Sequence, residues 1–307
     1  MRDLPILAEL PQGFAVERGA RGVVAVRGDL VAALRAAGFG ADADGDLRES
    51  DLSGRAPLGE LELSGAAYVV RAFRHGGLLR FVTGDRYLDP ARPIRQLILA
   101  HTMRSRGLPT PEVVAARARS LGGPAGGYRL ALVSRRVVDA RDGGETLERM
   151  RGGEIEASVR AGLFAACGAL IRSLHEAGFE HADLQPRNLL VRRAAPAPEP
   201  PELLVIDLEG SRLGDRPLGE RERVRNLARL ARAVLRRESR GTPFLRSADL
   251  VRFLRAYEPD PRRRRALAGA VRTVLARGRP LHRAGWLLER VFGADPAARD
   301  GAARVRS

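Results

Sequence analysis

The sequence lacks lysine altogether, since all 53 of its basic residues are arginine, and they give the 307-residue chain a formal net charge of +16. Its single cysteine, Cys167, excludes an internal disulfide and a cysteine-based metal cluster. Aromatic residues make up only 5% of the chain, and no nucleic-acid-binding motif accompanies them, which argues against nucleic acid as the main partner.

Long apolar runs are also absent. No run of 18 or more apolar residues occurs, so we expect no helix that crosses a membrane. The apolar start of the chain meets Glu9 and Pro11 too early for a secretory signal, and we expect a cytoplasmic protein. The arginine excess suits phosphorylated substrates or anionic lipid; the alternative is a coding bias spread over solvated faces.

The most informative stretch comprises residues 181–191 and has the form His-x-Asp-Leu-x-x-x-Asn, followed by an apolar strand. A second apolar strand, residues 203–206, ends on Asp207. Phosphoryl transfer to a hydroxyl needs a carboxylate that accepts the proton, and an amide oxygen and a second carboxylate that hold Mg²⁺ on the nucleotide phosphates. Asp183, Asn188 and Asp207 fit these roles in chain order, with His181 bracing the loop. We therefore predict a protein-kinase-like fold that uses ATP and Mg²⁺.

The order of elements predicts an α+β, bilobal architecture. Residues 46–134 form the N-lobe, an antiparallel sheet plus a helix, and residues 135–307 form a mainly helical C-lobe, whereas residues 1–45 are an N-terminal extension of unclear role. Periodicity predicts strands within 52–83, 113–118 and 128–134, helices over 94–103, 155–175, 221–237 and 286–292, and a proline-rich loop over 192–202.

Candidates for nucleotide binding in the N-lobe remain open on the residues alone. Gly54 and Gly59 lie between strand-like flanks, where a loop over the phosphates and an ordinary hairpin turn fit equally well. Arg71 lies on the strand that carries the phosphate-binding lysine in kinases, where either a phosphate ligand or a solvated edge residue fits. On the predicted helix 221–237, arginines opposite the apolar stripe form either a solvated face or a surface for anionic lipid.

Several stretches resemble the 3-deoxy-D-manno-octulosonic acid (Kdo) kinases, which belong to the lipopolysaccharide core sugar kinase family. The most specific is Tyr-x-x-Arg-x-x-Arg-x-Gly-Gly at residues 68–77, which ordinary protein kinases lack. Residues 106–111, 181–188 and 226–230 resemble the same family, and the similarity covers about residues 50 to 240. An arginine commonly fills the lysine position in this family, so the resemblance favours Arg71 as a phosphate ligand.

The resemblance implies ATP-dependent phosphorylation of a sugar hydroxyl on a lipid A precursor, with Asp183 as base and Asn188 and Asp207 as Mg²⁺ ligands. It also implies peripheral attachment to the cytoplasmic face of the inner membrane. Two residues depart from the family pattern. Gln96 replaces the glutamate that pairs with the phosphate-binding cation, and Glu209, two residues after Asp207, is a candidate to share metal or acceptor binding.

Two other functions fit the residues. A small-molecule phosphotransferase of the aminoglycoside or choline kinase type would use the same His-x-Asp, Asn and Asp set. A nucleotide-binding pseudokinase fits Gln96 and the weak glycine loop, but such a protein would not need the proton acceptor Asp183.

Overall fold

The computed structural model describes residues 4–42, 48–49, 58–63, 65–74, 86–122, 126–192, 201–239 and 243–277. The chain divides into two compact units between Val138 and Asp139. The first contains an antiparallel sheet with helices, and the second is mainly helical, which confirms the predicted fold class. Gly54, residues 193–200 of the predicted proline-rich loop and the predicted helix 286–292 lie outside the described residues.

The first unit is built on a seven-stranded sheet in which every neighbouring pair is antiparallel, in the order β1-β2-β6-β7-β5-β4-β3. Its elements in chain order are β1 (Phe14–Arg18), β2 (Gly22–Arg27), α1 (Val31–Ala36), β3 (Arg48–Glu49), β4 (Leu58–Leu63), β5 (Ala66–Ala72), α2 (Arg92–Ser105), β6 (Val113–Ser120) and β7 (Tyr128–Arg135). Helix α2 begins on a proline in its first turn, and the chain leaves it through Gly107 at φ +73°.

Both faces of this sheet are covered, so its interior strands β2 and β6 are buried along most of their length. Tyr68 and Val70 of β5 pack on one face with Phe39, whereas Phe73 packs on the other with Leu97 of α2. This alternation follows from the two-residue period of a strand. It places Arg71 on the same side as Phe73 and therefore on the side of α2.

Residues 14–42, for which the sequence suggests no role, belong to the core of the first unit. Strand β2 pairs with β6 inside the sheet, and Leu34 and Phe39 are almost fully buried. The short helix α1 follows β2, and the chain turns away from it at Gly38, which has φ +77°. These residues therefore complete the sheet.

The second unit contains five helices and two small sheets within its described residues, with strand orders β11-β10-β8 and β12-β9. Its elements are β8 (Ala140–Asp142), α3 (Gly143–Arg151), α4 (Ala157–Glu176), β9 (Phe179–Glu180), β10 (Leu189–Arg192), β11 (Glu202–Val205), β12 (Arg212–Leu213), α5 (Glu220–Glu238), α6 (Ser247–Tyr257) and α7 (Pro261–Arg277). A 3₁₀ turn, Pro186–Asn188, precedes β10.

Helix α4 is long and apolar enough to cross a membrane by length and composition alone. In the structure it packs along α6, and its buried Arg160 forms an ion pair with the buried Asp249. The two helices approach so closely that a Cβ atom on Gly168 would lie 2.2 Å from the carbonyl oxygen of Phe253. These are the surroundings of a core helix in a folded unit.

Candidate active site

The predicted catalytic loop connects β9 to β10 in the second unit. Helix α4 ends before it, and Gly178 at φ +83° turns the chain into β9. A side chain at that position would also collide with the carbonyl oxygen of Arg216, since the added Cβ would lie 2.3 Å from it. Glycine is therefore required at residue 178, between the end of α4 and the catalytic loop.

His181 is buried and connects two parts of the site. Its Nδ1 accepts the backbone N–H of Asp183 at 3.1 Å, so its Nε2 carries the proton and donates to the carbonyl oxygen of Ile206 at 3.0 Å. Burial lowers the pKa of His181 and favours this neutral tautomer. One imidazole thus holds the predicted base on one side and the peptide that precedes Asp207 on the other.

Asp183 is exposed, whereas Asn188 is buried at 6% exposure. The Nδ2 of Asn188 donates to the carbonyl oxygen of Asp183 at 2.7 Å and lies 3.4 Å from the Oδ2 atom of its carboxylate. The Nε2 of Gln185 donates to the same Oδ2. Because Asn188 uses Nδ2 for these bonds, Oδ1 is the amide atom that could ligate a cation.

Asp207 is brought to Asn188 by the pairing of β10 with β11. Leu189 lies opposite Val205, and the N–H of Ile206 donates to the carbonyl oxygen of Asn188 at 3.0 Å. Asp207 then adopts φ +58°, a left-handed conformation that is uncommon for a residue with a side chain. Such backbone strain clusters at functional sites. Glu209, the other acidic candidate, is half-buried in the turn that follows.

The donor set fits magnesium. Mg²⁺ prefers oxygen ligands and is commonly held by one or two protein groups together with water and substrate phosphates. The amide oxygen of Asn188 and the carboxylate of Asp207 are two such groups on neighbouring strand ends.

In the first unit, Arg71 is held by α2. Its Nη2 donates to the Oε1 atom of Gln96 at 2.8 Å, and its guanidinium carbon lies 5.2 Å from the centre of the Phe73 ring. Gln96 is 6% exposed and neutral, so the pair keeps the full positive charge of the guanidinium. Gly59 is buried in β4, opposite Val70 of β5, rather than in a free loop. The roles of Arg71, Gln96 and Gly59 toward a nucleotide stay predictions.

Two residues of α5 contact the catalytic loop, although the sequence patterns did not assign them to it. The Nη1 of Arg229 and the Nδ2 of Asn226 both donate to the carbonyl oxygen of His181, at 2.9 and 2.7 Å. The sequence placed Arg229 on a solvated or lipid-binding face. Two signals were available in the sequence: residues 226–230 resemble the family, and a spacing of three residues puts Asn226 and Arg229 on the same side of a helix.

The first unit is an antiparallel sheet with helices, and the second is a mainly helical unit whose exposed Asp183 lies in a loop braced by buried His181. These features are those of a phosphotransferase with the protein-kinase-like fold. Residues 60–257 match the model of the lipopolysaccharide kinase (Kdo/WaaP) family, and the chain belongs to this family. A solved structure of WaaP in complex with acyl carrier protein shares the fold, with a TM-score of 0.53 and 23% identity over 78% of this chain and 89% of that one.

Curated relatives include three proteins named 3-deoxy-D-manno-octulosonic acid kinase. The chain is 28% identical to that of Actinobacillus succinogenes over 66% of this chain and 79% of the relative. It is 29% identical to that of Xylella fastidiosa strain 9a5c, covering 67% and 76% of the two chains. It is 30% identical to that of Xanthomonas campestris pv. campestris strain B100, covering 62% and 70%.

These comparisons confirm the family resemblance noted from the sequence. The protein is an ATP-dependent kinase of lipopolysaccharide biosynthesis that transfers phosphate to a sugar hydroxyl.

Proposed function

We propose that the acceptor is a Kdo hydroxyl of a lipid A precursor, and that the reaction requires Mg²⁺. The observation that carries the proposal is the pairing of β10 with β11, which sets Asn188 beside Asp207 at the end of the loop that presents Asp183. The three relatives named as Kdo kinases support the choice of sugar.

Each residue has a separate role in this proposal. Asp183 accepts the proton of the sugar hydroxyl, for which its exposed carboxylate is suited. Asn188 and Asp207 hold Mg²⁺, which neutralises charge on the nucleotide phosphates when it is bound. Arg71, aligned by Gln96, binds phosphate oxygens. His181 keeps the backbones before Asp183 and Asp207 at a set separation because it bonds to both.

We also propose that the protein works as a peripheral protein at the cytoplasmic face of the inner membrane, and that α7 supplies the contact with anionic lipid. This helix contains no acidic residue, and five of its arginines are exposed without an ion pair or side-chain hydrogen bond to the rest of the described chain: Arg262, Arg263, Arg265, Arg272 and Arg277. Arginines in a first helical turn oppose the helix dipole, so they do not serve helix stability. Each basic residue near an anionic bilayer contributes about 1 kcal/mol of attraction.

The test of the chemistry is phosphate transfer by purified protein with ATP and Mg²⁺, with and without a Kdo-containing lipid A precursor in detergent, followed by mass analysis of the lipid. A gain of one phosphate that requires Mg²⁺ and vanishes in Asp207→Ala supports the proposal. Phosphorylation of free aminoglycosides, or of a lipid A precursor that lacks Kdo, would overturn the choice of acceptor. ATP binding without any transfer would support the pseudokinase alternative.

The test of the membrane contact is sedimentation with vesicles of neutral lipid or of neutral lipid mixed with phosphatidylglycerol. Substituting Arg262, Arg263 and Arg265 with glutamine should weaken binding to anionic vesicles roughly 10²-fold if each contributes about 1 kcal/mol. The matched control replaces three exposed arginines of α5, namely Arg221, Arg225 and Arg236. Equal losses in the two triple variants would argue against a specific role of α7.

A further inference from the structure

The carbonyl group of His181 is bound by two side chains from one helix. Asn226 Nδ2 donates to it at 2.7 Å and Arg229 Nη1 at 2.9 Å, both from α5. The other end of the same peptide unit is held as well, since the N–H of Ala182 donates to the Oγ atom of Ser211 at 3.0 Å. Three side chains that are distant in sequence thus fix the peptide plane that lies one residue before Asp183.

The loop needs such support because it has no regular secondary structure of its own between residues 181 and 185. Asp183 is exposed, so its carboxylate is not positioned by packing. Its backbone is positioned instead, through its N–H to the His181 ring and its carbonyl oxygen to Asn188. A rotation of the 181–182 peptide would displace both of these bonds.

The orientation of the Asn226 amide is itself determined by a buried hydrogen-bond chain. Because Nδ2 of Asn226 donates to His181, its Oδ1 accepts from Nε2 of His175 at 3.1 Å. His175 is therefore protonated on Nε2, and its Nδ1 accepts the hydroxyl proton of Tyr257 at 2.8 Å. All three side chains are almost fully buried, at 1–2% exposure.

The tautomer of His175 and the orientation of the Asn226 amide are therefore coupled, and the hydroxyl of Tyr257 completes the chain by donating to Nδ1 of His175. If the amide turned over, its oxygen would face the carbonyl oxygen of His181 and the bond would become a repulsion. Burial supports the same arrangement, because it lowers the pKa of His175 to about 4 and keeps the ring neutral.

We propose that Asn226 and Arg229 are positioning residues for phosphoryl transfer that clamp the carbonyl of His181, and that His175 and Tyr257 support the Asn226 amide through the buried hydrogen-bond chain behind it. The inference rests on the proposed function only in that Asp183 is the base whose position the clamp controls. Neither α5 residue touches Asp183 in the described contacts, so both act through the loop backbone.

The first experiment compares Asn226→Asp with the parent protein. Aspartate keeps the shape of the side chain but replaces the Nδ2 donor with an acceptor oxygen. We expect kcat to fall about 10²-fold, the size of effect that a misplacement of about 1 Å produces, while KM for ATP stays within about twofold. Arg229→Gln should lower kcat less, because one of the two donors remains, and Arg229→Lys, which keeps a cationic donor, should recover part of that loss.

The matched control is Arg225→Gln, an exposed arginine on the same helix that makes no side-chain bond in the described chain. It should leave kcat, KM and the melting temperature unchanged. A purely structural role of Asn226 would instead lower the melting temperature and the active fraction, with kcat per active site preserved.

A second measurement does not depend on the acceptor. Hydrogen exchange should show the backbone amide of Asp183 exchanging at least about tenfold faster in Asn226→Asp than in the parent, with α4 unchanged. Tyr257→Phe should produce a smaller change at the same peptide. If the Asp183 amide is equally protected in Asn226→Asp and in the parent, the clamp is refuted whatever the substrate is. If the parent phosphorylates no lipid but the substitution still speeds exchange in the loop, only the proposed acceptor is refuted.

Discussion

The buried ion pair between Arg160 of α4 and Asp249 of α6 supports a quantitative prediction about the second unit. Arg160 is 5% exposed and Asp249 is 0% exposed. The Nε atom of Arg160 lies 3.0 and 3.1 Å from the two carboxylate oxygens, and its Nη2 bonds to the same carboxylate and to the carbonyl oxygen of Phe244. Asp249 also accepts the N–H of Arg246 at 2.8 Å, at the start of α6.

Asp249→Ala would leave the guanidinium buried without its counter-charge. The loss of Coulomb attraction is not offset by rehydration, because Arg160 cannot reach water from its buried position. We expect a loss of about 3–5 kcal/mol in the free energy of unfolding, or roughly a 10²–10⁴-fold change in the unfolding equilibrium constant. A double variant, Arg160→Met with Asp249→Leu, removes both charges and fills the space. It should therefore be more stable than Asp249→Ala alone.

The assay is urea unfolding followed by far-ultraviolet circular dichroism, with the midpoint and slope fitted for each variant. Glu148→Ala provides the control, since Glu148 forms exposed ion pairs with Arg151 and Arg237 and should cost less than about 1 kcal/mol. If Asp249→Ala cost no more than Glu148→Ala, the pair would not be buried in solution as the structure shows. A double variant less stable than Asp249→Ala would contradict the desolvation argument.

Three further predictions concern the loop, its surroundings and the core. Asp183→Asn should lower kcat roughly 10²–10⁴-fold with the fold retained, measured by phosphate transfer; normal turnover would exclude Asp183 as the base. Because the pKa of His175 falls from 6.5 to about 4 on folding, the unfolded chain binds its proton first as pH decreases. The stability contributed by the neutral, buried His175 is complete above pH 6.5, and roughly 3 kcal/mol of it is lost as pH falls to 4. Urea midpoints measured across that pH range would show the loss, and the dependence on pH should be weaker in His175→Gln. Gly168→Ala should destabilise the protein by about 1–3 kcal/mol, because its Cβ would press on the carbonyl oxygen of Phe253; an unchanged melting temperature would mean that α4 and α6 can separate freely.

The main helices could be predicted from the spacing of apolar residues along the chain. The helices predicted over 94–103, 155–175 and 221–237 correspond to Arg92–Ser105, Ala157–Glu176 and Glu220–Glu238. The apolar residues of these helices recur at helical spacing because one side of each helix is buried, so the spacing predicts the helix. The kinase-like fold and the family were readable from short motifs because catalysis restricts residue types at fixed spacing along one loop.

The N-terminal residues were harder to interpret for a physical reason. Strand β2 pairs with β6, which lies about 90 residues further along the chain. Pairing partners at that distance leave no local trace, and a strand buried on both faces lacks the alternation that marks a half-buried strand. The sequence therefore left residues 1–45 as an extension of unclear role, although β2 completes the sheet of the first unit.

The sequence by itself determined the reaction class, because His181, Asp183 and Asn188 lie within eight residues and Asp207 closes the next strand. Only the tertiary structure decided how that loop is held. The supporting side chains come from three helices: Asn226, Arg229, His175 and Tyr257. Their shared role appears only in the folded chain, where Asn226 lies within hydrogen-bonding distance of both the carbonyl of His181 and the imidazole of His175. A hydrogen bond depends on distance and direction in space, and residues from separate helices acquire both only when the chain has folded.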